Sequence, residues 1–403
     1  MQIAALEWLT FGLGNAVRAA KERGWTLHLL TADRTEYAYE IDRSDPAHLV
    51  VHDLDTSDVA AVVALLRGID GLAGLISTTD VGSLVSLRVA AELGLPSQPA
   101  AAVELARNKA ELRRHLHGAG LSKAAPVVID PHAPEALESA AGLSYPAVLK
   151  DVSGTGSQAV WIAHAPADLP EILAAARAGH LRGGLLTAEP YFTGSLYSAE
   201  TITWGGRTRL LGISSRLLSP LPHFREDGEA FPVALPPALE GELASWISSV
   251  LGGIGYQGFG HTEFILTADG PEVVEVNPRL GGGRLGELIC QALDTNIYEA
   301  FLDMALDTRP ALIDAELTPV RGMAEVFLNA PRTGVFDGFD GAELLAGHPG
   351  TPRMASARVV GEPVDSLHDW RASFGSVIAE GPTAELAMYN ALAAARLVRV
   401  RVS

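Results

Sequence analysis

Basic charge is what this sequence most conspicuously lacks. Against 48 Asp and Glu it sets 30 Lys and Arg, a formal net charge of −18, which excludes a broad polyanion partner such as nucleic acid or an anionic membrane. Small anions can still bind where arginines converge. Lysine is scarcer still: only Lys21, Lys109, Lys123 and Lys150 occur, so each one invites an explanation. A single cysteine, Cys290, excludes an internal disulfide framework and a cysteine-rich zinc site. It reads as a small buried apolar residue on a helix, and such cysteine usage suits the reducing cytoplasm, the expected location. No apolar run reaches the roughly 18 residues that a spanning helix needs, because Arg67 and Asp70 break the best candidate. The amino terminus also lacks the basic, apolar and small-residue order of a secretory leader. A soluble protein without a membrane partner is expected.

What is present is core-forming material. Hydrophobic residues make up 48% of the 403 and charged residues 19%, enough for two to four packed units and too apolar for disorder. Residues 1–100 alternate short apolar runs such as "MQIAALE" and "WTLHLLTAD" with helical patterns such as "GNAVRAAKERG", which predicts a doubly wound parallel α/β domain. The turn "FGLGN" after the first run invites a dinucleotide-binding reading. The full fingerprint and its ribose-binding acid are not in place, so a structural strand-to-helix turn is the preferred alternative. From about residue 100 the pattern becomes α+β, with a helix in "ARNKAELRRHLHGAG" and a hairpin in "YPAVLKDVSGTGSQAVWIA". The carboxy-terminal hundred residues read as a small α+β unit that closes with a strand, a helix and a strand.

Chemistry concentrates in "GHTEFILTADGPEVVEVNPRLGGG". The turn signal "TADG" predicts a hairpin, and centring it near Asp269 sets Glu263 opposite Glu275 and His261 opposite Asn277. Opposed side chains lie roughly 5 Å apart, where like charges destabilise, so something positive belongs between the two glutamates. A hard cation such as Mg²⁺ suits two carboxylates and an amide oxygen. A raised carboxylate pKa in a paired-acid site, or a salt bridge to Arg279, are the alternatives, and a one-residue slip would turn one glutamate away.

The loop Ser153-Gly154-Thr155-Gly156-Ser157-Gln158 can turn backbone N–H groups inward toward phosphate oxygens. It is not a P-loop, since no Gly-Lys-Ser/Thr leads into a helix, and a plain flexible turn is the alternative. Lys150, ending the strand before it, directs an ammonium to the same place. Lys109 opens a helix and would ordinarily be a solvated helix-face residue. In "AEPYFTG" a strand ending in Glu189 and Pro190 passes into an extended segment with Phe192, an edge of carbonyls, amides and apolar walls that suits adenine.

In this order "RNKAELRRHLHGAGL", "YPAVLKDVSGTGSQAV", "AEPYFTGSLYSAE", "GHTEFILTADGPEVVEVNPRLGGG" and "FGSVIAEGPTAELA" resemble the ATP-grasp superfamily, in particular its carboxylate–amine ligase and L-amino-acid ligase branch, over essentially the whole chain. The resemblance implies an ATP-grasp fold: an N-terminal pre-ATP-grasp α/β domain over 1–100, a small subdomain with the glycine loop over 101–190, a large subdomain over 191–305 and a C-terminal lobe over 306–403. It implies ATP and Mg²⁺ as cofactors, one or two ions with Mn²⁺ as a substitute. Lys109, Lys150 and the loop residues Ser153, Gly154, Gly156 and Ser157 would meet phosphates; Glu189, Pro190 and Phe192 would line the adenine hinge; and Glu263, Glu275 and Asn277 would hold the metal. Arg279 would face the transferred phosphoryl group, Arg216 would add a phosphate contact, and His261, Gly282 and Gly283 would lie on the substrate side. Relatives place a ribose-binding glutamate where this chain has Leu196, which leaves Glu200 as its stand-in.

The implied reaction phosphorylates a carboxylate and lets an amine attack the acyl phosphate, so the expected partners are a small carboxylic acid and an amine, amino acids foremost. A homodimer is an open expectation. No protein nucleophile is needed. The proline-rich segment 220–236 reads either as a surface loop or as a lid that excludes water, with His223 and Arg225 against a substrate carboxylate. A carboxyphosphate-forming, biotin-carboxylase-like enzyme and a non-catalytic nucleotide-binding module are the competing readings.

Overall fold

The computed structural model describes all 403 residues. Its first sheet is parallel, in the order β3 (Leu49–Asp53), β2 (Thr26–Thr31), β1 (Gln2–Leu6), β4 (Leu72–Ile76). Alternate residues of these strands enter different cores. Ile3, Ala5, Leu27 and Leu29 pack with Ala16 and Val17 of the helix Leu13–Glu22, whereas Ala4, Leu6 and Leu30 pack with Val62, Val63 and Val89 from the helices Val59–Arg67 and Asp80–Leu93. Both faces are therefore covered, which is why the strands read as continuous apolar runs. The turn between β1 and its helix is closely packed, as a structural strand-to-helix turn would be. Gly12 has φ +92°, and a Cβ there would lie 2.0 Å from the Tyr298 hydroxyl.

A second, antiparallel sheet runs β5 (Val127–Ile129), β8 (Leu186–Pro190), β6 (Ala147–Asp151), β7 (Val160–Ala163). The glycine loop joins β6 to β7 as the expected hairpin. The helical stretch ahead of it is divided: Ala100–Arg107 and Lys109–Gly118 meet at Asn108, whose extended backbone and side chain cap the second helix at Glu111 N (3.1 Å). Asparagine at such a position is a start signal, and it sets Lys109 in the first turn.

The third sheet has eight strands, in the order β13 (Gly270–Asn277), β12 (Gly258–Thr267), β9 (Ser195–Trp204), β10 (Arg207–Leu218), β11 (Glu226–Phe231), β14 (Gly322–Asn329), β18 (Ser373–Gly381), β16 (Arg353–Ser356). This corrects the reading of 220–236 as one irregular loop or lid. Glu226–Phe231 is an internal strand bonded to β10 and β14, and only the flanking residues are loop. Glu226 and Glu229 disguised it, because acids are rare in central strands unless paired; here both bind Arg216. The carboxy-terminal region is thereby welded to the large sheet. Only β15 (Gly334–Asp340), β17 (Pro363–Val364) and β19 (Arg399–Val402) form a small sheet of their own. Cys290 lies on the helix Leu285–Leu293 against the main core, and burial pushes its thiol up to about 12. No helix is long and apolar enough to cross a membrane.

One partly buried pair gives the amino-terminal domain a pH response. His28 on β2 stacks on His52 of β3, with Nδ1 and Nε2 3.0 Å apart, and its other nitrogen lies 2.8 Å from Gln2 Oε1. A neutral His28 donating to Gln2 and accepting from His52 satisfies both contacts. Burial, then the neighbouring His52, lowers its pKa. A histidine depressed in the fold takes up its proton preferentially in the unfolded chain, so its stabilising effect is present above about pH 6.5 and is lost as pH falls below that value. His28→Gln should therefore flatten the fall in thermal midpoint between about pH 7 and 5, and profiles that stay parallel to the parent would refute this assignment.

Candidate active site

The hairpin register is the one read from the sequence: His261 opposes Asn277 and Glu263 opposes Glu275. It is reached by an unexpected route. Near the turn the pairs are Thr267 with Gly270 and Phe264 with Val273, one residue out of step, and a bulge at Val274 restores the alignment. Bulges re-aim backbone groups beside functional sites, and here the freed Val274 carbonyl accepts from Lys150 Nζ at 3.1 Å.

Positive charge does surround the acids. Lys109 Nζ lies 2.8 Å from Glu275 Oε2 and donates to Gly154 O at 2.6 Å, with its side chain only 10% exposed. The solvated-lysine alternative is thus removed. Asn277 Nδ2 donates to Glu275 Oε1 at 2.8 Å. Burial alone would raise the Glu275 carboxyl, but Lys109, Asn277 and Arg107 outweigh it and hold it below the usual carboxylate range. His261 sits between Glu200 (3.0 Å) and Glu263 (3.2 Å). Burial disfavours its charged form, yet Glu200 and Glu263 bring its pKa up to about 10, so an imidazolium occupies the strand face. The donor set of two carboxylates and an amide oxygen is hard, sits on one face and is only partly covered, with Glu263 17% and Glu275 18% exposed. It fits Mg²⁺ in the manner of a site completed by waters and phosphate.

Above the hairpin lie the small sheet and its loop. Lys150 Nζ is 2.6 Å from Glu189 Oε1, and Arg113 is 2.7 Å from Glu189 Oε2. Burial lowers the Lys150 pKa, with Glu189 opposing and Arg113 and Lys109 reinforcing. The Glu189 side chain is therefore committed inward, to Lys150 and Arg113. Phe192 lies beneath Arg113, 5.6 Å from ring centroid to guanidinium carbon, and Tyr191 N binds Pro146 O, beside Pro190. Ser153 N is held by Asp151 Oδ1 at 2.8 Å. Gly156 has φ +61° and lies on the Trp370 indole, where a Cβ would approach to 2.3 Å; Ser157 Oγ donates to Phe224 O at 2.7 Å.

Several expected roles change. Glu200 does not face the hinge: it is fully buried on β9, bound to His261 and Ser214, and cannot stand in for a ribose-binding glutamate in this arrangement. His223 stacks on His368 at 3.7 Å, and Arg225 pairs with Asp227 at 2.8 Å and donates to Leu367 O. Both fasten the 219–225 turn to the carboxy-terminal lobe instead of meeting a substrate carboxylate. Arg216 is enclosed by Glu226 (2.5 Å) and Glu229, which leaves its guanidinium no free edge for phosphate. The glycine run lies where contact is closest: a Cβ on Gly281 would meet His261 Nδ1 at 3.0 Å, Gly283 has φ +60° against Glu325, and Gly282 faces open space.

Sequence reasoning missed Asp80. It accepts from Arg279 Nε at 2.9 Å and Nη2 at 2.7 Å, and from Arg107 at 2.9 Å. The amino-terminal domain thus fixes the arginine beside the metal-type acids through a two-point bond. Its position at the start of a helix after β4, at the carboxyl end of a parallel strand, was the available signal.

Four sheets with a glycine-loop hairpin closed over an acid-bearing hairpin define the ATP-grasp class. Residues 106–283 match the family model for the ATP-grasp domain, and residues 326–403 match L-amino acid ligase C-terminal domain 2. The L-amino acid ligase of Bacillus licheniformis superposes over 100% of this chain and 98% of its own, with TM-score 0.81 at 20% identity; a biotin carboxylase of Campylobacter jejuni does so over 100% and 92%, with TM-score 0.74 at 17% identity. Carnosine synthase 1 of Homo sapiens is 27% identical over 324 residues, 73% of this chain and 38% of that protein, so the chain spans well under half of it. The uncharacterized protein y4rH of Sinorhizobium fredii is 27% identical over 88% of this chain and 73% of its own. The chain thus carries an ATP-grasp domain over residues 106–283, followed by a part similar to L-amino acid ligase C-terminal domain 2, and it has the fold of the L-amino acid ligase and biotin carboxylase structures on which it superposes.

Because Asp80 holds Arg279 at two points, Asp80→Asn should lower turnover about a hundredfold, the scale of a slight misplacement of a catalytic group. The KM for ATP should change little, and a loss confined to KM would assign Asp80 to nucleotide binding instead.

Proposed function

We propose that this ATP-grasp ligase joins the carboxylate of a small acid, an amino acid in the first instance, to an amine through an acyl phosphate, releasing ADP and phosphate. The observation that carries this reading is the convergence of Lys109, Lys150 and Arg279 on the hairpin face that bears Glu263, Glu275 and Asn277. Relatives named for L-amino acid and carnosine ligation support the substrate class.

The chain's residues divide the work. Lys109, now on Glu275, exchanges that carboxylate for phosphate oxygens when ATP enters, and Lys150 meets the same chain of phosphates from the opposite strand. Ser153, Gly154, Gly156 and Ser157 close over them with backbone N–H groups. Mg²⁺ bound at Glu263, Glu275 and Asn277, as one ion or two and with Mn²⁺ as a substitute, supplies neutralisation of the triphosphate. Arg279, immobilised by Asp80, faces the charge of the γ-phosphoryl group as the substrate carboxylate attacks phosphorus and the bond to the β-phosphate oxygen breaks. The amine then attacks the acyl carbon, phosphate leaves, and the nitrogen gives up its proton. Trp370 and the 219–225 turn seal the loop against water, which protects the acyl phosphate. Cys290, half-buried and with its thiol pushed up to about 12, takes no part as a nucleophile.

A product assay with ATP, Mg²⁺ and panels of amino acids and amines tests this. Phosphate and ADP should appear only when acid and amine are both present. Pyrophosphate would sink the phosphoryl route, and bicarbonate-dependent turnover without an amine would replace the ligase by a carboxyphosphate-forming enzyme. Glu275→Ala should abolish turnover while far-ultraviolet circular dichroism stays unchanged; retained activity would refute the metal assignment.

A further inference from the structure

The large sheet carries a second pair of opposed glutamates. On the β11–β14 ladder Glu229 faces Glu325, as Glu263 faces Glu275 at the hairpin, but here each residue is only 1% exposed. Their strand neighbours Ala230, Ala324 and Val326 enter the core beneath the helix Ala384–Ala395. Side chains alternate along a strand, so both carboxyl groups lie on the opposite face, where the glycine run after Arg279 turns into the helix Leu285–Leu293. One oxygen of each is accounted for: Arg216 donates to Glu229 Oε2, and Arg284 N donates to Glu325 Oε2 at 2.9 Å. The other two, Glu229 Oε1 and Glu325 Oε1, are buried without a partner.

The polar groups around the pair are Arg216 and Glu226 from β10 and β11, His261 from β12, Arg284 and Glu287 from the turn and the helix after it, and Ser376 from β18. Each nearby cation already has other partners. Arg216 is shared with Glu226 (2.5 Å), His261 lies between Glu200 and Glu263, and the Arg284 guanidinium turns to Glu287 and the Phe11 ring. Two ionised carboxylates opposed at this depth would be strongly destabilising. A proton on either one removes the repulsion and supplies a donor where two acceptors stand unpaired. Burial raises the Glu229 carboxyl well above the usual range; Arg216 opposes this, and Glu325 and Glu226 add to it. Burial raises Glu325 too, against Ser376 and Arg284. The same Glu325 Oε2 that holds Arg284 N would lie 3.0 Å from a Cβ on Gly283, and Gly281 in the same run packs on His261. A Glu325 pushed aside by its neighbour takes this turn with it.

We propose that Glu229 and Glu325 hold one proton between them at neutral pH, and that in this state they position the 281–284 turn beside Arg279 and His261. Loss of the proton sets two carboxylates against each other and displaces the turn. Glu325 is a positioning residue, which acts through Arg284 N and touches no substrate. The consequence for turnover rests on the ligase reading, whereas the protonation is measured without turnover.

Infrared spectra of the full chain at about pH 8, well above the ordinary carboxylate range, test the protonation. The parent should show the carbonyl stretch of a protonated carboxyl group that Glu325→Gln lacks, because the amide accepts from Arg284 N and donates toward Glu229 without a charge. A carboxyl raised in the fold stabilises fully below about pH 4.3 and loses that effect as pH rises through its folded value. The thermal midpoint of Glu325→Gln should therefore fall less than that of the parent as pH is raised. In the ligase assay, kcat of the parent should fall about tenfold at alkaline pH, and Glu325→Gln should lack this limb at an unchanged KM for ATP. Glu325→Ala should lower kcat about tenfold at every pH, a loss that Glu325→Gln does not share. The proposal is overturned if the parent and Glu325→Gln have the same carboxyl band, or if their kcat profiles run parallel. Should no ligase turnover be found, the spectra and midpoints still decide the protonation, and parallel midpoints overturn it. If Glu325→Gln fails to fold, the same spectral and midpoint comparisons with Glu229→Gln decide it.

Discussion

The opposition of Glu263 and Glu275 across the β12–β13 ladder is the constraint on which the rest of the site depends. Two carboxylates roughly 5 Å apart repel by about 3 kcal/mol at an effective dielectric near 20, a large fraction of the stability of an ordinary domain. The fold answers by surrounding them with cations from separate parts of the chain: Lys109 from a helix start, His261 from the same strand, and Arg279 from the turn that follows. Each cation then requires a partner of its own. Glu200 stands behind His261 and Asp80 behind Arg279. The result is an alternating set of charges in which no member is buried alone, the condition under which such groups are tolerated inside a protein. In the proposed reaction, a divalent ion with a triphosphate would meet both signs already arranged to receive it.

Much of this was legible from pattern. Alternation and the "TADG" turn gave the opposed pairs of the hairpin, and the rarity of lysine drew attention to Lys109 and Lys150, which the structure brings to the same hairpin. The parallel first sheet followed from the spacing of its apolar runs. What remained hidden has identifiable physical causes. β11 was disguised because two of its six residues are glutamates whose partner, Arg216, lies on the neighbouring strand. Asp80 was hidden because its partner stands 199 residues away, a separation that no local pattern reports. The inward turn of Glu200 depends on the register that sets it beside His261 of β12, and strand pairing decides that, not the sequence of either strand.

The hairpin's register also shows how a correct expectation can rest on an incomplete mechanism. The turn lies half a residue earlier than the centre assigned near Asp269, and the extra residue Val274 cancels the difference. A single insertion in the strand thus preserves the opposition of the acids and at the same time frees the carbonyl that Lys150 binds. Gly156 and Gly283, both at positive φ, likewise join a backbone requirement to a close approach, one onto Trp370 and the other onto Glu325. At these points the demands of chain geometry and of the site coincide.

The continuity of the eight-stranded sheet through β11 bears on how the molecule moves. Hydrogen bonds run without interruption from the acid-bearing hairpin to the strands of the carboxy-terminal lobe, so these parts form one stiff plate that cannot hinge between them without tearing a ladder. The four-stranded sheet that carries the glycine loop shares no ladder with that plate. Among the bonds that hold the loop and Lys150 to it are Ser157 to Phe224, Trp370 to Gly156 and Lys150 to Val274, each a single polar bond of the kind that breaks and reforms cheaply. Mechanically, the protein is a rigid anvil with one light jaw, and the freedom to admit and release ligands is concentrated in the jaw.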